Sequence, residues 1–129
     1  MDRIDMHVAV PAVSYRDLSV SAKSESSGAI AKRVIAAREQ QSHRLEQSVI
    51  YCNGQMKGRH VRSYCKLSVT GERLLKNAAD RFGMSARAYF RILKIARTIA
   101  DLAQERNIRS GHIAEAIQYR SQEHLHPGK

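Results

Sequence analysis

The sequence predicts a mainly α-helical fold, a small helical bundle with a short strand-like arm at its N-terminal end. Three observations lead there. The 129 residues are 43% hydrophobic yet hold only five tyrosines, two phenylalanines and no tryptophan, so the core must be aliphatic, built on Leu, Ile and Ala. Beyond Leu67, three segments each begin near a serine able to cap a helix and carry apolar residues three and four positions apart. Period-two alternation is confined to one stretch near the start, His7-Val-Ala-Val-Pro-Ala-Val.

In chain order, residues 1–18 form the arm, and Pro11, which has no amide hydrogen, ends its ladder pairing. Residues 19–28, rich in Ser with Lys and Glu interspersed, read as a linker. A helical domain over 29–120 follows. Its first segment, from Ala29, is strongly helix-forming and keeps Ile30, Val34, Ala37 and Leu45 on roughly one side. Asn53, Gly54 and Gly58 break the pattern into a loop. Ser68 or Thr70 caps a helix carrying Leu74, Leu75, Ala78, Ala79 and Phe82, which Gly83 terminates. The main helix spans 86–103 behind Ser85. Ser110 caps a last helix through Ile113, Ala116, Ile117 and Tyr119, and residues 121–129 read as a flexible tail.

Composition narrows the function classes. Twenty-two basic against 12 acidic residues give a formal charge of +10 and a pI near 10.1. That excess suits a polyanionic partner, or a charge that an attached domain would balance. Two cysteines, Cys52 and Cys65, with His60 between them, are too few and too widely spaced for a zinc site, so ordinary thiols and no metal are expected. No apolar run is long enough to span a bilayer and no signal peptide opens the chain, so a cytoplasmic setting is expected. There is no Gly-x-x-x-x-Gly-Lys-Ser/Thr loop, because Gly54 and Gly58 lack the Lys-Ser/Thr pair that holds phosphate and magnesium. Alone, the chain is expected to bind no nucleotide and to catalyse nothing.

The most informative stretch is Ser85-Ala-Arg-Ala-Tyr-Phe-Arg-Ile-Leu-Lys-Ile-Ala-Arg-Thr-Ile-Ala-Asp-Leu102. At 100° per residue from Arg87, Arg91 falls near 40° and Lys94 near −20°, while Ile92, Ala96, Ile99 and Ala100 fall within roughly 120–220°. Ser85 is a good N-cap, which places Arg87 in the first turn, where free amides and the helix dipole already favour an anion. A cation there opposes the dipole unless the site is shared with a phosphate. Spacing alone is equally satisfied by a solvated basic face. Arg97 continues this side, and Asp101 and Glu115 are available as partners. A second cluster, Lys57, Arg59, His60, Arg62 and Lys66 around Tyr64, combines charge with an aromatic that can stack on a base. His7, His43 and His112 read as packing or capping residues.

Ser85-Ala-Arg87, the run from Arg91 to Leu102, Ile108 and His112-Ile-Ala-Glu-Ala-Ile-Gln-Tyr-Arg120 resemble the C-terminal domain of magnesium-chelatase-like AAA+ ATPases. The bacterial competence-associated branch, of ring-shaped DNA motors, is the nearest in pattern. Asp2-Arg3-Ile-Asp-Met-His7-Val-Ala-Val-Pro11 resembles the last segment of that family's ATPase core, and Asn53-Gly-Gln-Met56 and Arg62-Ser-Tyr-Cys-Lys-Leu67 agree more loosely. The resemblance is dense from about Leu67 to Arg120 and thin between Leu18 and Gln47.

The resemblance implies that the chain is the lid, the C-terminal piece of a larger ATPase that binds ATP and Mg on its own core. It gives Arg87 the position of a sensor-2 arginine on the ATP phosphates, with Arg91 beside it, and makes Arg3 a possible arginine finger for a neighbouring subunit. Implied partners are the ATPase core, neighbouring subunits of a hexamer, and DNA through Lys94, Arg97, Lys57, Arg59 and Arg62, with no membrane. The isolated piece is expected to be monomeric. Two alternatives stay open: the lid of a subunit that drives metal insertion into a tetrapyrrole, and a free-standing basic nucleic-acid-binding bundle.

Overall fold

The computed structural model describes residues 5–8 and 25–125. Five α-helices are found among them: α1 Ser27–Arg44, α2 Gly58–Tyr64, α3 Val69–Phe82, α4 Ala86–Leu102 and α5 Ser110–Leu125, with a 3-10 turn at Asn53–Gln55. The bundle is organised on α4, which buries Ile92, Leu93, Ile95, Ala96 and Ala100. Helices α5 and α1 pack against it and α3 packs against α5. The fully buried Ala96, Ala100 and Ala116 leave room for Leu75, Ile92 and Ile113 between the helices. Each of those three large side chains contributes about 1.5–3 kcal/mol by leaving water. An isolated parallel bridge between Leu67 and Ile108 ties the α2–α3 loop to the α4–α5 loop.

The caps explain the boundaries. Ser26, Ser68 and Ser85 each accept a first-turn amide, from Ala29, Gly71 and Ala88, at 3.1 Å. Of the two cap candidates for α3, Ser68 is the one used. Gly83 ends α3 in the left-handed region (φ 60), with the Met84 amide donating to Ala79 O at 3.1 Å. Helix α4 closes on a Schellman turn: Gln104 N donates to Asp101 O at 3.0 Å and Glu105 N to Ala100 O at 2.8 Å. Gln104 takes the left-handed position there (φ 58).

Several expectations are corrected. Helix α1 begins at Ser27 rather than Ala29, and its apolar side is only half used: Ala37 and Leu45 are buried, while Ile30 and Val34 are 44% and 46% exposed. Only the C-terminal half of α1 is covered by the bundle. The supposed loop around Gly58 contains α2, a helix of seven residues, too short to show a period in sequence. Ser110 is the first residue of α5 rather than its cap; His112 Nδ1 instead accepts the Arg109 amide at 2.9 Å. Helix α5 runs on to Leu125, since nothing before Pro127 breaks it. Of the strand-like arm, residues 5–8 are not in a strand; the His7 amide donates to Tyr119 O on α5 at 2.9 Å. Residues 1–4, 9–24 and 126–129, with most of the arm and linker, lie outside the described residues.

Candidate functional site

Arg87 stands exposed in the first turn of α4, as its spacing from Ser85 requires. The left-handed Gly83 lets the chain reverse, so α4 starts within a few residues of the end of α3. No acidic residue shares the first turn of α4. The end of this helix therefore combines free amides, the positive end of the dipole and a forked guanidinium, a combination that attracts phosphate oxygens.

The rest of the basic side divides. Arg91 Nε lies 3.2 Å from Asp5 Oδ1, so the N-terminal segment is ion-paired to α4. Lys94 Nζ donates to Gly54 O at 3.4 Å. Arg91 and Lys94 share a cleft of about 290 Å³ whose other walls include Asp5, Glu115 and Tyr119. Arg97 departs from the expected outer face. It is 4% exposed, and its Nη atoms donate to Arg106 O and Glu105 O at 3.0 and 2.9 Å. The reversal at Gln104 aims those loop carbonyls inward, and a buried carbonyl needs a donor. Burial pushes the Arg97 pKa down, while the neighbouring Asp101 acts to raise it.

Asp101 is the centre of a buried polar node. Its side chain is fully enclosed and accepts hydrogen bonds from Arg44 at 2.5 and 3.1 Å and from Asn53 Nδ2 at 2.8 Å, with Arg97 Nε 3.3 Å away. Asn53 is held in turn by Thr98 Oγ1 at 3.1 Å, and its amide donates to Gln41 Oε1 at 3.0 Å. The node binds α1, the 3-10 turn and α4 into one unit. Asp101 is expected from sequence as a partner for basic residues, whereas Gln41 and Arg44 carry no sequence signal for this role and Asn53 beside Gly54 reads as a turn residue. Beside the node, burial pushes the Cys65 thiol up to about 11, against the pull of Arg97 and Arg44.

The second cluster also divides. Lys57, Arg59 and Arg62 are exposed on α2 and its cap, and the Arg62 guanidinium folds back over Gly58, 3.7 Å from where a Cβ would stand. His60 caps this helix, its Nδ1 accepting the Lys57 amide at 3.0 Å. Tyr64 and Lys66 instead line a groove of about 580 Å³ together with His43, Arg44, Arg97 and Arg106. Arg3 lies outside the described residues. Among the described residues, Cys52 and Cys65 are free thiols, no group of His, Cys, Asp and Glu could hold a metal, and no helix is long and apolar enough to cross a membrane.

Comparison with known proteins fits this geometry. The family described as magnesium chelatase, subunit ChlI C-terminal, matches residues 24–120. The chain is 38% identical over 97% of its length to the uncharacterized protein YifB of Salmonella typhimurium, covering 24% of that protein. It is 35% identical over 94% of its length to the competence protein ComM of Haemophilus influenzae, covering 23% of it, and 35% identical over 97% to YifB of Escherichia coli, covering 24%. The chain thus spans about a quarter of the length of these relatives. With a match over residues 24–120, which takes in α1 to α4 and α5 as far as the buried Arg120, the chain belongs to the magnesium chelatase subunit ChlI C-terminal family.

Proposed function

We propose that the chain is the helical lid of a magnesium-chelatase-like AAA+ ATPase that remodels DNA as a ring. Arg87 reads the terminal phosphate of ATP held with Mg on the core, and Arg91 steadies the same side of α4. The supporting observation is the position of Arg87: exposed, in the first turn of a capped helix with no acid in that turn. That helix is also the most deeply packed element of the bundle, so a pull on Arg87 is passed to α1 and α5 as a rigid-body movement. Arg3 is the finger residue for a neighbouring subunit, the assembly is a hexamer in the cytoplasm, and the isolated chain is a monomer. The relative named as a competence protein supports DNA as the substrate; the family's description keeps metal insertion into a tetrapyrrole as the second reading.

The test is Arg87→Ala in the full-length protein, read by hydrolysis rate and by the affinity for a non-hydrolysable ATP analogue relative to ADP. Removal of a charge-stabilising donor should lower the rate by about tenfold or more and narrow that preference. An unchanged rate with an unchanged preference would end the sensor assignment. Stimulation of the wild-type rate by DNA, set against stimulation by a porphyrin and magnesium, separates the two substrate readings.

A further inference from the structure

The groove of about 580 Å³ between the C-terminal ends of α1 and α2 and the α4–α5 loop is lined by neither Arg87 nor Arg91. Its walls carry His43, Arg44, Lys66, Arg97 and Arg106, with Tyr64 on one side, and among the described residues no acidic residue lines it. Beneath it, Arg44 and Arg97 share the single carboxylate of Asp101, so positive charge is left over at the floor. Lys66 and Arg106 are exposed, and among the described residues neither has a carboxylate within ion-pair distance. Cations from four parts of the chain therefore converge on one concavity.

We propose that this groove takes the sugar-phosphate backbone of a single nucleic-acid strand, with Lys66 and Arg106 on phosphates and Tyr64 against a base or sugar. The choice of nucleic acid as occupant rests on the reading of the parent protein as a DNA motor. An acidic protein segment would be served by the charge alone. The groove adds Ser63, Gln40, Gln104 and Asn107, neutral groups able to donate to phosphate oxygens, and an aromatic wall. Arg44 and Arg97 are fixed by Asp101 and by backbone carbonyls, so their field is rigid, while Lys66 and Arg106 can adjust to a flexible strand. The contact is sequence-independent and weakens with salt. It also moves the nucleic-acid contact from the exposed Lys57, Arg59 and Arg62 to the C-terminal end of α2 and the residues after it.

The test titrates a labelled oligothymidine with this 129-residue chain across a salt series. Four forms are compared: wild type, Lys66→Ala with Arg106→Ala, the charge-keeping Lys66→Arg with Arg106→Lys, and Lys57→Ala with Arg59→Ala and Arg62→Ala. The first double variant should weaken binding by about tenfold near physiological salt and flatten the salt slope by about 1.4, the value for two lost phosphate contacts on a single strand. The charge-keeping pair should bind as wild type, and thermal melting should show all four folded. Unchanged binding in the Lys66/Arg106 alanine pair overturns the groove assignment, and a loss confined to the α2 triple then leaves the DNA reading standing. Binding of polyglutamate but not oligothymidine overturns the nucleic-acid occupant. Absence of any binding overturns the proposal, while DNA stimulation of the full-length ATPase reports on the DNA reading separately.

Discussion

Arg44 reaches from α1 to both carboxylate oxygens of Asp101 on α4, at 2.5 and 3.1 Å, and this contact fastens the first helix of the bundle to its central one. Asp101 is fully enclosed and the Arg44 side chain is 16% exposed, and Arg97 leans on the same carboxylate from one helical turn away. A buried ion pair is costly to break because the survivor keeps its charge without a partner. Here one deletion would take the shared carboxylate from two guanidiniums, leaving Arg97 only its loop carbonyls and Arg44 only the Asn53 side chain. Asp101→Ala should therefore destabilise the chain by about 3–5 kcal/mol. Urea denaturation checks this, and a loss well under 1 kcal/mol would mean that water replaces the carboxylate at no cost.

Much of this architecture is legible in the sequence, and the node shows why the remainder is not. Ser85, Gly83 and the spacing of Ile92, Ala96 and Ala100 report local chemistry, and local chemistry survives in a one-dimensional reading. Arg97 does not, because its burial follows from the Gln104 reversal, and glutamine is not a residue that announces a left-handed turn. Asn53 beside Gly54 gives a strong turn signal that masks its second role as a donor to Asp101, 48 residues away. For the site, the capped position of Arg87 was readable from three consecutive residues. The groove was not, since His43, Lys66 and Arg106 come from separate segments that only the fold brings together.

The cap of α4 offers a way to separate positioning from contact. Ser85 Oγ holds the Ala88 amide at 3.1 Å, immediately beside Arg87. Ser85→Ala should cost about 1 kcal/mol of stability, as the loss of an N-cap usually does. Arg87→Ala, at an exposed position, should change stability by no more than about 0.5 kcal/mol. Hydrogen exchange at the Ala88 amide should accelerate in the Ser85 variant and stay nearly unchanged in the Arg87 variant. The reverse pattern would mean that Arg87, not Ser85, organises the first turn.

Two glycines in open surroundings should respond in opposite directions to one substitution. A Cβ built on Gly83 or on Gly111 meets nothing within 4 Å, so crowding decides neither case. Gly83 is at φ 60, where an L side chain is strained, whereas Gly111 lies in the first turn of α5. Gly83→Ala should lose about 1 kcal/mol, because alanine resists the left-handed conformation. Gly111→Ala should gain about 0.5–1 kcal/mol by restricting the unfolded chain. Paired thermal melts read both, and a shared sign would show that backbone conformation is not what distinguishes the two positions.

Cys65 links the core to pH. Its thiol is buried, and burial raises its pKa from the ordinary 9.0 to about 11, because a thiolate is poorly solvated there. The folded state thus holds the proton more tightly than the unfolded state. The resulting contribution to stability is fully present below pH 9 and is lost as the pH rises through about 11. At about 1.4 kcal/mol for each pH unit, up to roughly 3 kcal/mol is at stake across that interval. Tyrosines and lysines titrate in the same range, so the informative quantity is the difference between wild type and Cys65→Ala. That difference should stay constant from pH 7 to pH 9 and then shrink towards pH 11 as wild type alone loses the thiol's contribution. A parallel pair of stability curves would show that Arg44 and Arg97, the cations nearest this thiol, offset its burial completely.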